Sequence, residues 1–215
     1  MAVYYFNGDP IAAPFTITSN EPTFDADTIS MSKRRASQGA QRWEMSFNII
    51  TNDNAIEQFM SSISKSTGTG FNSVGTMLMP QIIEDAPGIP GAGQGIKFNT
   101  SSATAYTSSV TINSSSTAIA SGIFKRGRFF QFSGFTKIYV VTADCDFSQN
   151  NPTLNFFPRL RQAITSGATS DILWDTKGIF PPNFSYWRDI SNTRGITFTD
   201  GVLSSPGTIN LVEAV

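Results

Sequence analysis

Residues 42–49 alternate strictly. Trp43, Met45, Phe47 and Ile49 fall on one side, and Arg42, Glu44, Ser46 and Asn48 fall on the other. A period of two over this length predicts a half-buried strand. The run "ISMSKRR" lies upstream across "ASQGA", so Ile29–Thr51 is expected to form a hairpin. Before it, "VYYF" and "FTITS" read as short strands separated by the turn-rich "NGDPIAAP". After residue 51 the period changes. Ile56, Phe59, Met60 and Ile63 recur at i, i+3, i+4 and i+7, and Asn54 with Glu57 has the form of a capping box. This predicts a helix over Ala55–Lys65 whose apolar face packs on the sheet. "TMLMP" then reads as a buried strand stopped by Pro80.

The Pro- and Gly-rich "APGIPGAGQG" follows as a linker. Beyond it, Phe98–Gly122 is rich in Ser and Thr, but Val110 and Ile112 alternate with Thr111, which favours strands joined by polar loops. "FKRGRFFQF" and "KIYVV" pair across a tight turn at "FSGF", and "TLNFFPRL" is a further strand ended by Pro158. About five short strands with turns between them suggest a small barrel, closed or partly closed. The runs "DILW", "GITFTD" and "GTINLVE" are expected to return to the first sheet. The expected fold is mainly β with one short helix. A sandwich- or barrel-like domain spans 1–85 and 166–215, a small barrel is inserted at 96–165, and 86–95 links them.

Composition narrows the function classes. Charged residues make up 14% of 215, against roughly 25% in an average soluble domain. Net charge is −1. Such a chain suits a surface largely covered by partners. It has no histidine, which removes the commonest general base and zinc ligand and every Ser-His or Cys-His pair. Cys145 is the single cysteine, so no internal disulfide can form; it reads as a small strand residue. Asp144 and Asp146 flank it without an EF-hand pattern. The glycine-rich linker matches neither a dinucleotide fingerprint nor a P-loop. The expectation is a non-enzyme with no catalytic residues, metal or cofactor. No apolar stretch reaches the roughly 20 residues that span a bilayer, and "MAVYYFNGDPIAAPF" lacks the pattern of a signal peptide, so no membrane partner is expected.

Two charge features are candidate contacts. Before residue 33 there are only acids, Asp9, Glu21, Asp25 and Asp27; Lys33, Arg34, Arg35 and Arg42 then follow. Separate acidic and basic edges suit a head-to-tail contact that closes into a ring. Asp25, Asp27, Lys33, Arg34, Arg35 and Arg42 are therefore candidate subunit-interface residues. Lys125, Arg126 and Arg128 stand beside Phe129, Phe130 and Phe132 and are candidate ligand or partner contacts. A barrel that stacks bases on aromatics has this composition. Here the rings divide over both strand faces and the chain as a whole is slightly acidic, which counts against nucleic acid. A glycan-binding module is the competing class, with Tyr106, Trp174, Tyr186 and Trp187 as rings that could stack on sugars.

In element order the chain resembles the distal tail proteins of long-tailed bacteriophages, the kind with an inserted OB-fold-like barrel. The likeness rests on "ISMSKRRASQGAQRWEMSFNI", "NAIEQFMSSISK", "TGFNSVGTMLMP", "GIFKRGRFFQFSGFTKIYVVTADCDFSQNNPTLNFFPRLRQAI" and "GTINLVEAV". It covers about Thr28–Val215. The resemblance implies a structural virion protein made in the host cytoplasm and placed in the tail. It implies a homo-oligomeric ring, commonly a hexamer, with the tail tube protein on one face and baseplate hub and tail fibre proteins on the other. For the outward barrel it extends to a host-surface glycan. The start, "MAVYYFNGDPIAAPF", has no counterpart, and a contractile-tail baseplate relative fits nearly as well.

Overall fold

The structure, a computed structural model, describes residues 5–6, 9–27, 33–37, 40–49, 75–79, 98–112, 123–146, 149–166, 171–173, 182–188, 197–199, 202–205 and 208–215. Among these residues the protein is mainly β, and every regular element is a strand. The expected helix at Ala55–Lys65 and the linker at 86–95 lie outside the described residues. The chain forms two compact units. A terminal unit comprises Val3–Gly75 and Tyr186–Val215, and an inserted unit comprises Thr76–Ser185.

The largest sheet of the terminal unit is built on β1 (Tyr5–Phe6), β2 (Asp9–Asn20), β5 (Arg42–Ile49) and β18 (Ile209–Glu213), neighbours in that order and antiparallel throughout. On its other side β18 pairs with Tyr186–Arg188, the part of β15 (Asn183–Arg188) that belongs to this unit. β6 spans Gly75–Leu78. The alternation of residues 42–49 does what its period requires. Trp43, Met45 and Phe47 are buried beside Ile209 and Leu211, while Arg42 and Asn48 are exposed. Glu213 ends the buried row of β18. Past the last ladder pair, Val212↔Glu44, its Oε2 accepts the Trp43 N–H at 3.0 Å.

Two expectations fail in this unit. Within "NGDPIAAP", Asp9–Pro14 is strand and not connection, because β2 runs through it. Ala12 faces Asn48 and Thr16 faces Ser46, so β2 spends four residues where β5 spends two. The irregularity contains Pro14, and a bulge is where a strand tolerates a residue with no N–H to give. The hairpin assigned to Ile29–Thr51 is also paired otherwise. β4 (Lys33–Ser37) pairs with β3 (Thr23–Asp27), whereas β5 pairs with β2 and β18. The last β2–β5 pair is Asn20↔Arg42 and the first β3–β4 pair is Thr23↔Ser37, so the two ladders follow one another along a single arm. β16 (Thr197–Thr199) and β17 (Val202–Ser205) form a further hairpin.

In the inserted unit a six-stranded sheet has the order β7 (Phe98–Asn99), β14 (Asp171–Leu173), β10 (Phe129–Phe132), β11 (Ile138–Val141), β13 (Thr153–Phe157), β8 (Ser109–Thr111). The sheet curls into a half-barrel until its outer strands meet. Thr100, just past β7, bridges Ile112, just past β8, and the Ser101 N–H donates to the Thr111 carbonyl at 2.8 Å. β9 (Ile123–Phe124) and β12 (Cys145–Asp146) pair separately. The run "DILW" was expected in the first sheet, yet β14 lies between β7 and β10, with Ile172 in the barrel core. Backbone pairing chose its place, and three residues carry no pattern that names a partner. The core is aromatic. Phe130 stacks on Tyr139 at 5.7 Å between centroids, and Phe132 and Phe156 meet both rings edge-on. Edge-to-face pairs add about 0.5–1.5 kcal/mol each beyond burial.

Candidate partner-contact surfaces

The β3–β4 arm is an exposed ribbon. All five residues of β3 and Lys33–Ala36 of β4 are exposed. Its register sorts the side chains by face. Asp25 faces Arg35 and Asp27 faces Lys33 on one side; Phe24 faces Ala36 and Ala26 faces Arg34 on the other. The Arg35 guanidinium grips Asp25 bidentately, Nε to Oδ1 at 2.8 Å and Nη2 to Oδ2 at 3.1 Å. That hydrogen bond lowers the Asp25 pKa below its ordinary 3.8 and raises that of Arg35. The acids and bases that read as separate edges in sequence are thus opposite one another on a single face. Sequence distance hid this, because the pairing of β3 with β4 was not foreseen.

The other face is the unusual one. Phe24, Ala26 and Ala36 make it largely apolar, with Arg34 as its one charge, and Phe24 is 64% exposed. An isolated two-stranded ribbon is marginal in water, so a face of this composition has more to gain from a partner than from solvent. Arg42 lies outside the β3–β4 ladder. It sits on the sheet, where its Nε reaches Glu44 Oε1 at 3.1 Å, and Asn20 Nδ2 donates to the same oxygen at 2.8 Å.

The basic cluster of the barrel is dispersed. Lys125 Nζ lies 3.2 Å from Asp144 Oδ2, and the Arg126 N–H donates to Asp144 Oδ1 at 2.8 Å. The Arg126 backbone bond first, and then Lys125, lower the Asp144 pKa. Arg126 remains exposed at the turn, and Arg128 is only 6% exposed. Phe130 and Phe132 are core, and Phe129 is half-buried. Lys125, Arg126 and Arg128 therefore do not form one basic patch, and the rings beside them offer no platform for bases. Cys145 is buried in β12. Burial, and then the neighbouring Asp146 charge, push its thiol up to about 11, which keeps it protonated and unreactive near neutrality. Among the described residues, no group of three or more His, Cys, Asp or Glu side chains gathers to hold a metal.

Of the four candidate stacking rings, Tyr186 is buried and Trp174 lies outside the described residues. Trp187 lies in β15. Tyr106 is 71% exposed and has a left-handed backbone, φ 68°. Compared with protein-family models and with curated proteins, the chain matches none.

Proposed function

We propose that this chain is a structural subunit of a phage tail tip or baseplate, assembling with copies of itself into a ring that joins the tail tube to hub and fibre proteins. The observation that carries the reading is the β3–β4 arm, a ribbon with one charge-paired face and one uncovered apolar face. A head-to-tail contact in which each arm covers its apolar face on the next subunit builds a ring when its rotation closes. The low charge content and the resemblance in element order to distal tail proteins support the same reading. The same proposal takes the inserted barrel as an OB-like module.

The test is native mass spectrometry with negative-stain imaging of one purified sample, alone and with isolated tail tubes. A closed ring, most simply a hexamer, is the expected result. A monomer that also fails to cap tail tubes overturns the proposal.

A further inference from the structure

The turn that carries Tyr106 is tied to a basic segment. The Tyr106 N–H donates to the Leu160 carbonyl at 2.7 Å, and the Leu160 N–H donates to the Thr107 carbonyl at 2.8 Å. Thr107 Oγ1 donates to the Thr104 carbonyl at 2.9 Å and fixes the turn from within. Leu160 is buried in the barrel core, and Arg159 and Arg161 on either side of it are exposed. A single residue separates these arginines, so their Cα atoms are at most about 7 Å apart. No carboxylate among the described residues pairs with either guanidinium.

The backbone at Tyr106 is the informative part. A left-handed conformation is disfavoured for a residue with a Cβ, and glycine or asparagine holds such a turn more cheaply. An exposed tyrosine ring returns little burial in exchange. Strain kept at an exposed aromatic residue points to a ring that is there for something outside the chain.

We infer that Tyr106, Arg159 and Arg161 form a binding site for a carboxylate-bearing sugar, a uronate or sialate unit within an oligosaccharide. The inference stands independently of the ring reading. The tyrosine face matches the C–H face of a pyranose, and a guanidinium fork matches the carboxylate at its edge. A polyphosphate chain suits the site less. It has two arginines only, in a chain of net charge −1, with no broad basic field to follow a backbone.

The experiment is calorimetric titration of the full chain with uronate and sialate oligosaccharides, with maltohexaose as the neutral control and a fifteen-nucleotide oligo-dT as the nucleic-acid control. The expected result is binding to at least one acidic oligosaccharide, at least tenfold tighter than to maltohexaose. Tyr106→Gly should lose at least tenfold in affinity while its thermal midpoint stays equal to or above wild type, since glycine relieves the backbone. Arg159→Gln with Arg161→Gln should lose a similar factor and flatten the salt dependence. No binding to any acidic oligosaccharide overturns the inference, as do equal binding to maltohexaose and undiminished binding by Tyr106→Gly. Tighter binding of oligo-dT through the same three residues assigns the site to nucleic acid and also overturns it.

Discussion

Gly127 has φ 85°, and a Cβ built on it meets no atom within 4 Å. Its substitution therefore isolates the backbone cost. Gly127→Ala is expected to destabilise the barrel by about 1 kcal/mol and Gly127→Asn by less, measured by urea unfolding. Cys145 gives a prediction in pH. Its folded pKa is raised from 9.0 to about 11, so the stability contributed by the neutral buried thiol is intact below 9.0 and lost as pH climbs towards about 11. Cys145→Ala should flatten the decline of thermal midpoint across that interval. At this scale the sequence was readable where a residue type has one habit. Cys145 was expected in a strand and is there. Arg128, a candidate contact by its charge, is only 6% exposed. Its alternation with Phe130 and Phe132 was visible, and that alternation is what carries it inward.

The arm shows what pattern can and cannot specify for an element. Period two fixed the faces of β5 correctly, since burial on one side is a local property of the string. It did not fix the partners of β5, because register is settled by which ladder satisfies the most backbone and buries the most surface. The signal that existed was charge: Asp25 and Asp27 against Arg35 and Lys33 at matched spacing is a cross-strand pattern. The same geometry decides which substitutions probe assembly. Reversing Arg35 breaks its pair with Asp25, and so confounds the arm's own structure with its contacts. Phe24→Ser and Arg34→Glu leave the paired face intact. Either is expected to shift the native mass distribution towards monomer while far-UV circular dichroism and thermal midpoint stay near wild type, because neither side chain is buried in the chain. Unchanged assembly in both variants would remove the arm from the interface.

In the whole molecule, the discontinuity of the terminal unit follows from β18, which returns from the C-terminus to pair with β5. Apolar spacing suggested an interrupted domain. The boundaries it suggested, near 86–95 and 165, differ from those of the compact units at Gly75/Thr76 and Ser185/Tyr186, because β14 carries no mark of which sheet it completes. Residues 76–185 are expected to fold when expressed alone, since β7, β8, β10, β11, β13 and β14 with their aromatic core all lie within them. Near-UV circular dichroism and a cooperative thermal transition would register this. A fragment with strand content but no near-UV signal would show that the core needs the rest of the chain.

The inserted unit is closed at its own doorway: the Met79 N–H donates to the Pro182 carbonyl at 3.0 Å, near the points where the chain goes in and comes out. This has a mechanical consequence. Tension applied along the chain across the unit reaches that clasp before it reaches the barrel, so the roughly one hundred residues between bear no load while it holds. The barrel is shielded until the clasp opens. Under a steady pull the first extension should be small, the release of a few backbone bonds, and the barrel's own rupture should follow as a separate, longer step.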